Sequence, residues 1–107
     1  WLAALGLLRP GFTALHANHL HEPELDLIAR SGVGVVHCPT AGLRLGHGIA
    51  PLAALRARGA VSALGSGSTM AGIGLPDVLA EARLATLLTS AAGSNVPGAP
   101  DAAAALR

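Results

Sequence analysis

The 107 residues are enough for one small domain, and a net charge of +1 with no basic stripe interleaved with aromatics excludes a nucleic-acid surface. Half of the residues are hydrophobic (51%), yet no apolar run approaches the roughly 18 residues of a membrane span, and no secretory signal is present, so a cytoplasmic protein without membrane contact is expected. A single cysteine, Cys38, excludes an internal disulfide and a Cys-rich zinc cluster.

In chain order, Leu2, Leu5 and Leu8 suit a helix over 1–8, broken by Arg9-Pro10-Gly11. The short apolar run that follows predicts a strand over 12–16, ending at His16. Glu22-Pro23-Glu24 opens a helix over 22–31, with proline in its first turn and acids at its positive end. Val33-Gly34-Val35-Val36 predicts a buried strand over 33–37, stopped by Cys38-Pro39 because proline cannot donate to a sheet ladder. A loop then leads to a helix over 50–58 and a third strand over 60–65. Gly- and Ser-rich residues 65–74 form a loop, and Pro76-Asp77 opens the longest helix, over 76–91. Gly, Pro, Ser and Asn dominate from Ala92 to Asp101, a loop before a helix started by 102–107.

A weak internal repeat runs through this order. Arg9-Pro10-Gly11, Arg30-Ser31-Gly32 and Arg58-Gly59 each precede a strand, and each strand delivers a polar loop. Strand and helix repeated three times give parallel strands buried on both faces, an arc of a barrel or open sheet with unpaired edges. Residues 1–107 thus form a single partial α/β domain. Trp1 in place of an initiator methionine reads as the mark of a piece of something longer.

Five histidines are the unusual feature of the composition, and four of them fall within 22 residues. His16, His19 and His21 form H-x-x-H-x-H past the first strand, where imidazoles suit metal ligation or proton transfer. Backbone carbonyls satisfy such loop histidines as readily. His19 reads as packing under the loop, and His21 as a helix cap. His37 has the same two readings at the next strand's end, while Cys38 reads as a small buried hydrophobe and His47 as solvated. Glu22, Glu24, Asp26, Asp77 and Glu81 fall on predicted helices, where solvated faces explain them best. Gly65-Ser66-Gly67-Ser68 lacks the lysine of a phosphate-binding loop and fits neither G-x-G-x-x-G nor G-x-S-x-G.

Three stretches together resemble the amidohydrolase superfamily, in its deaminase and triazine-hydrolase branch. Ala14-Leu15-His16-Ala17-Asn18-His19-Leu20 resembles A-A-H-x-x-H-L. Val35-Val36-His37-Cys38-Pro39, continued by Leu43 to Pro51, resembles V-V-H-C-P-x-S-N-L-K-L-x-x-G-I-A-P. Gly59 to Ser68, followed by Glu81-Ala82-Arg83, resembles G-V-x-V-A-L-G-T-D-G and its E-x-R helix. The resemblance implies part of a (β/α)8 (TIM-type) barrel, strands six to eight, from an enzyme whose zinc or iron activates a water. That water attacks a heterocyclic ring carbon and expels ammonia or chloride. It further implies that His16 is the catalytic histidine that orients the nucleophile and stabilises developing charge. His37 and His19 become substrate-binding residues.

The departures from the pattern are as specific. The family's H-x-H pair, its H-x-x-E strand, a third metal histidine and a proton-shuttling glutamate have no counterpart here. Gly67 stands where the resemblance places a metal-binding aspartate, by substitution or by the loss of one residue, and Ala41-Gly42 stand for Ser-Asn. The expectation is therefore a fragment of a metal-dependent hydrolase of non-peptide C–N bonds, binding no metal by itself and inactive alone. Its partner is a small heterocyclic molecule, and the complete form is expected to be a homo-oligomer. The alternative is a degenerate, non-catalytic remnant or an interaction module.

Overall fold

The structure is a computed structural model that describes residues 1–67 and 76–91. Three parallel strands, β1 (Thr13–Leu15), β2 (Gly34–His37) and β3 (Val61–Leu64), lie in the order β1-β2-β3. Strands adjacent in the chain are adjacent in the sheet, the order of a sheet wound in one direction. The register pairs Leu15 with Val36 and Val36 with Ala63, so the three carboxyl ends emerge side by side. Helices α1 (Glu22–Ser31), α2 (Pro39–Arg44), α3 (Leu52–Ala57) and α4 (Val78–Ala91) complete three βα units. Of the loop expected over 65–74, only Gly65 to Gly67 belong to the described residues. The loop expected past Ala92 and the helix expected from Ala102 lie outside them. No helix among the described residues is long and apolar enough to cross a membrane.

Local chemistry accounts for the boundaries. The Glu24 carboxylate accepts from the His21 backbone N–H at 2.8 Å, and Gly32 closes α1 with φ +71°. Asp77 caps α4, its Oδ1 accepting from Leu79 N–H at 2.9 Å and Ala80 N–H at 3.1 Å. Arg58, at the end of α3, pairs with both Glu22 and Asp26 on α1, clasping the two helices from outside.

Three expectations are corrected. Residues 1–8 form a single turn rather than a helix, because Gly6 takes φ +69°. Leu7 N–H then reaches back to Leu2 O and Gly6 N–H to Ala3 O, the paired bonds of a helix C-terminus. Residues 39–44, expected as loop, form α2: Pro39 occupies the first turn, where the missing N–H costs nothing. The sheet, expected to be buried on both faces, is covered on one only.

The covered face carries the core. Leu25 and Ile28 of α1 and Leu55 of α3 meet Val33 and Val35, with Phe12, Ala14 and Ala60 packed around them. The other face projects Leu15 (62% exposed) and Val61 (65% exposed), large apolar side chains turned outward. Strand alternation assigns the two faces, since residues i and i+2 point the same way. This asymmetry makes a direct test. Leu55→Ala should cost about 2–5 kcal/mol by urea unfolding, whereas Leu15→Ala should stay within roughly 0.5 kcal/mol. Equal losses at both positions would show that the second face is packed.

Candidate active site

The site is built on the tips of β1 and β2. His16 N–H donates to Val36 O at 2.8 Å, extending the ladder one residue past β1. The chain then turns abruptly: Ala17 N–H donates to Leu15 O at 2.9 Å across His16, whose φ is +68°, and Ala17 follows at +48°. A three-residue turn with positive φ at its centre is the rarer, strained form of the γ-turn. A β-carbon in that region costs roughly 1–2 kcal/mol, and such strain concentrates at functional positions. His16 is thus held at the strand tip by a backbone that glycine would adopt at lower cost.

His37 ends β2 on the face it shares with Val35, away from the open side. It is 1% exposed, and neither ring nitrogen has a hydrogen-bond partner among the described residues; the same holds for His16 Nδ1 and Asn18 Oδ1. Burial pushes the His37 imidazole below its usual range. Glu81 opposes that shift electrostatically and His16 adds to it. At neutral pH the ring is therefore uncharged. His19 is exposed, and its ring faces Gly48, with Cε1 3.4 Å from where a β-carbon on that glycine would stand. Cys38 is fully buried, with its thiol pushed up chiefly by desolvation, which fits a packing role.

Sequence reasoning missed two features. Glu81, expected on a solvated face, is 5% exposed and accepts from Thr40 N–H at 2.9 Å. That bond satisfies a first-turn donor of α2 and docks α4 against it, 41 positions away in the chain. His47, expected to be solvated, is exposed, yet its ring meets the His16 ring edge to face, with centroids 6.0 Å apart. The doublet Gly46 and Gly48 around it is the only sequence signal, marking a loop able to fold tightly.

Zinc requires several converging donors, and this chain does not gather them. Among the described residues no group of three or more His, Cys, Asp or Glu side chains lies close enough to hold a metal ion. Gly67 offers none. It takes φ +77°, and a β-carbon there would stand 2.9 Å from Ala41 Cβ and 3.5 Å from Cys38 Cβ. The described residues of this chain, taken alone, do not fit a metal.

Comparison with known proteins follows the same lines. The amidohydrolase family profile matches residues 1–107. The 5-methylthioadenosine/S-adenosylhomocysteine deaminase of Halobacterium salinarum is 37% identical over 102 residues, covering 95% of this chain and 22% of that protein. An adenosine deaminase from Xanthomonas campestris, solved with bound zinc, is 36% identical with a TM-score of 0.88 over 97% of this chain and 23% of its own. A triazine hydrolase from Arthrobacter aurescens is 27% identical with a TM-score of 0.85, over 98% and 23%. The chain spans less than a quarter of each of these proteins.

Two outcomes are expected from this geometry. Because the folded state disfavours protonated His37, only the unfolded chain takes up that proton as pH falls below about 6.5. The His37 contribution to stability is therefore complete above that pH and declines below it, by at most about 1.4 kcal/mol per pH unit. Urea midpoints at pH 7.5 and 5 should differ less in His37→Gln than in the parent chain; an equal difference would assign the acid sensitivity elsewhere. Gly67→Asp should lower stability by about 1–2 kcal/mol, since it meets both the backbone strain and Ala41. A neutral result would show that this loop relaxes freely.

Proposed function

From the premise that this chain belongs to the amidohydrolase family, we propose that it forms the rim segment of a hydrolase acting on non-peptide C–N bonds. The substrate class is a small heterocyclic molecule, and the reaction is deamination or dechlorination by water. The observation that carries this reading is the strained turn that holds His16 at the tip of β1. The similarity to adenosine-type deaminases and to a triazine hydrolase supports the substrate class. The (β/α)8 barrel architecture of such proteins accommodates the open sheet face, which the remaining strands would cover.

His16 is assigned the catalytic role. It orients the attacking water and stabilises the charge that develops on the ring as water adds and ammonia or chloride leaves. His19 borders the pocket from the loop after β1, and neutral His37 shapes it from beneath the rim. Zinc or iron belongs to the complete enzyme, where it would supply the activated water, and the described residues of this chain do not hold it alone. A cytoplasmic, homo-oligomeric complete protein belongs to the same reading.

A second reading, a non-catalytic remnant that retains the fold, is favoured by one observation. Gly67, just past β3, takes a conformation and a space that oppose the expected aspartate. The two readings separate by experiment. The purified 107-residue chain should contain far less than one equivalent of zinc or iron by elemental analysis and release no ammonia from adenosine derivatives. Joined to the remaining strands of a relative's barrel and carrying Gly67→Asp, it should support turnover that His16→Gln lowers about 10²–10⁴-fold. Turnover indifferent to His16→Gln would sink the catalytic assignment, and no turnover at all would favour the remnant.

A further inference from the structure

We propose that His47 is a positioning residue for His16, held against it by an amide clamp from Asn18. The proposal rests on the functional reading only in taking His16 as the group that meets substrate. An imidazole at work is ordinarily oriented by a hydrogen bond from its far nitrogen to a carbonyl or carboxylate. His16 lacks that device: its Nδ1 is buried with no partner among the described residues. Its main chain is fixed by the bond to Val36 O, but its ring must take its direction from packing. The ring packed on it is His47, edge to face at 90° with centroids 6.0 Å apart, a favoured arrangement of flat π-systems.

His47 is exposed, so burial does not hold it there. Its backbone does. His47 N–H donates to Gly42 O at 2.8 Å, and His47 O accepts from Asn18 Nδ2 at 3.0 Å. The first bond ties the loop after α2 to that helix. The second ties it to the loop that carries His16. Gly42 makes the approach feasible, since a β-carbon there would stand 2.6 Å from Gly48 O and 3.5 Å from Asn18 Nδ2. Glycine at 42 thus lets the backbone at Gly48 close on α2, with the Asn18 amide at contact distance beside it. The ring of His19 faces the same loop, its Cε1 3.4 Å from where a β-carbon on Gly48 would stand. Four positions, 16, 18, 42 and 47, form one mechanical unit that delivers one imidazole to another.

The test is solution NMR of the histidine ring lines in the isotopically labelled 107-residue chain, without substrate or metal. In the parent chain the His16 ring lines should be displaced by the neighbouring ring and should show one orientation. His47→Ala should move them to the averaged positions of a free side chain, while His47→Phe, which keeps a flat ring, should retain the displacement. Asn18→Ala should move them part of the way and leave the lines of His37, in the core, unchanged. His16 lines that stay put in His47→Ala, or that move equally in His47→Phe, would overturn the proposal. So would averaged lines in the parent chain. These spectra are read without turnover, so a failure of the catalytic assignment leaves the ring contact standing or falling on its own.

Discussion

Two backbone hydrogen bonds at the top of β2 hold the candidate site together. Val36 O accepts from His16 N–H on one side, and His37 O accepts from Gly65 N–H at 2.9 Å on the other. Each extends its ladder past the neighbouring strand's last paired residue, so the loops after β1 and β3 start from a common level. Parallel ladders are slightly weaker per residue than antiparallel ones and need buried partners to persist. Here the partner layer is Leu25, Ile28 and Leu55, fully or nearly withdrawn from water, each contributing about 1.5–3 kcal/mol by area. The central strand is therefore both the middle of the core and the platform of the candidate site.

Around that platform, polar groups serve docking more than catalysis. Glu81 satisfies the start of α2, Asp77 the start of α4, Glu24 the start of α1, and Arg58 joins α1 to α3. Only the imidazoles of His16 and His37 and the Asn18 oxygen retain buried polar atoms without partners among the described side chains. An unsatisfied buried group costs about 1–3 kcal/mol, so their gathering at the carboxyl end of the sheet marks the place where the fold departs from its own optimum.

Much of the fold is legible in the sequence because it is local. The apolar runs at 12–16, 33–37 and 60–65 each contain a strand shorter than the run, and Glu22-Pro23 and Gly32 bound the helix that the stripe of Leu25, Ile28 and Ala29 buries. The failures have one cause, which is that local signals have more than one outcome. Pro39 reads as a stop, though the same ring suits a helix's first turn. The leucines at 2, 5 and 8 promise a helix that Gly6 ends after one turn. For the site, His16 and His37 are visible as imidazoles at strand ends, but the edge-to-face ring of His47 and the burial of Glu81 depend on residues 31 and 41 positions away. Spacing along the chain carries no trace of such meetings.

The backbone angles at 16 and 67 also set a direction for change. At 16 a residue with a β-carbon occupies left-handed space, and at 67 glycine occupies it. Exchange of His16 for glycine would relieve the backbone angle there, whereas any side chain placed at 67 meets both angle and neighbour. Random drift thus runs downhill toward an emptied rim and uphill away from it. A rim built this way sheds side chains more easily than it takes them on, while its shape persists.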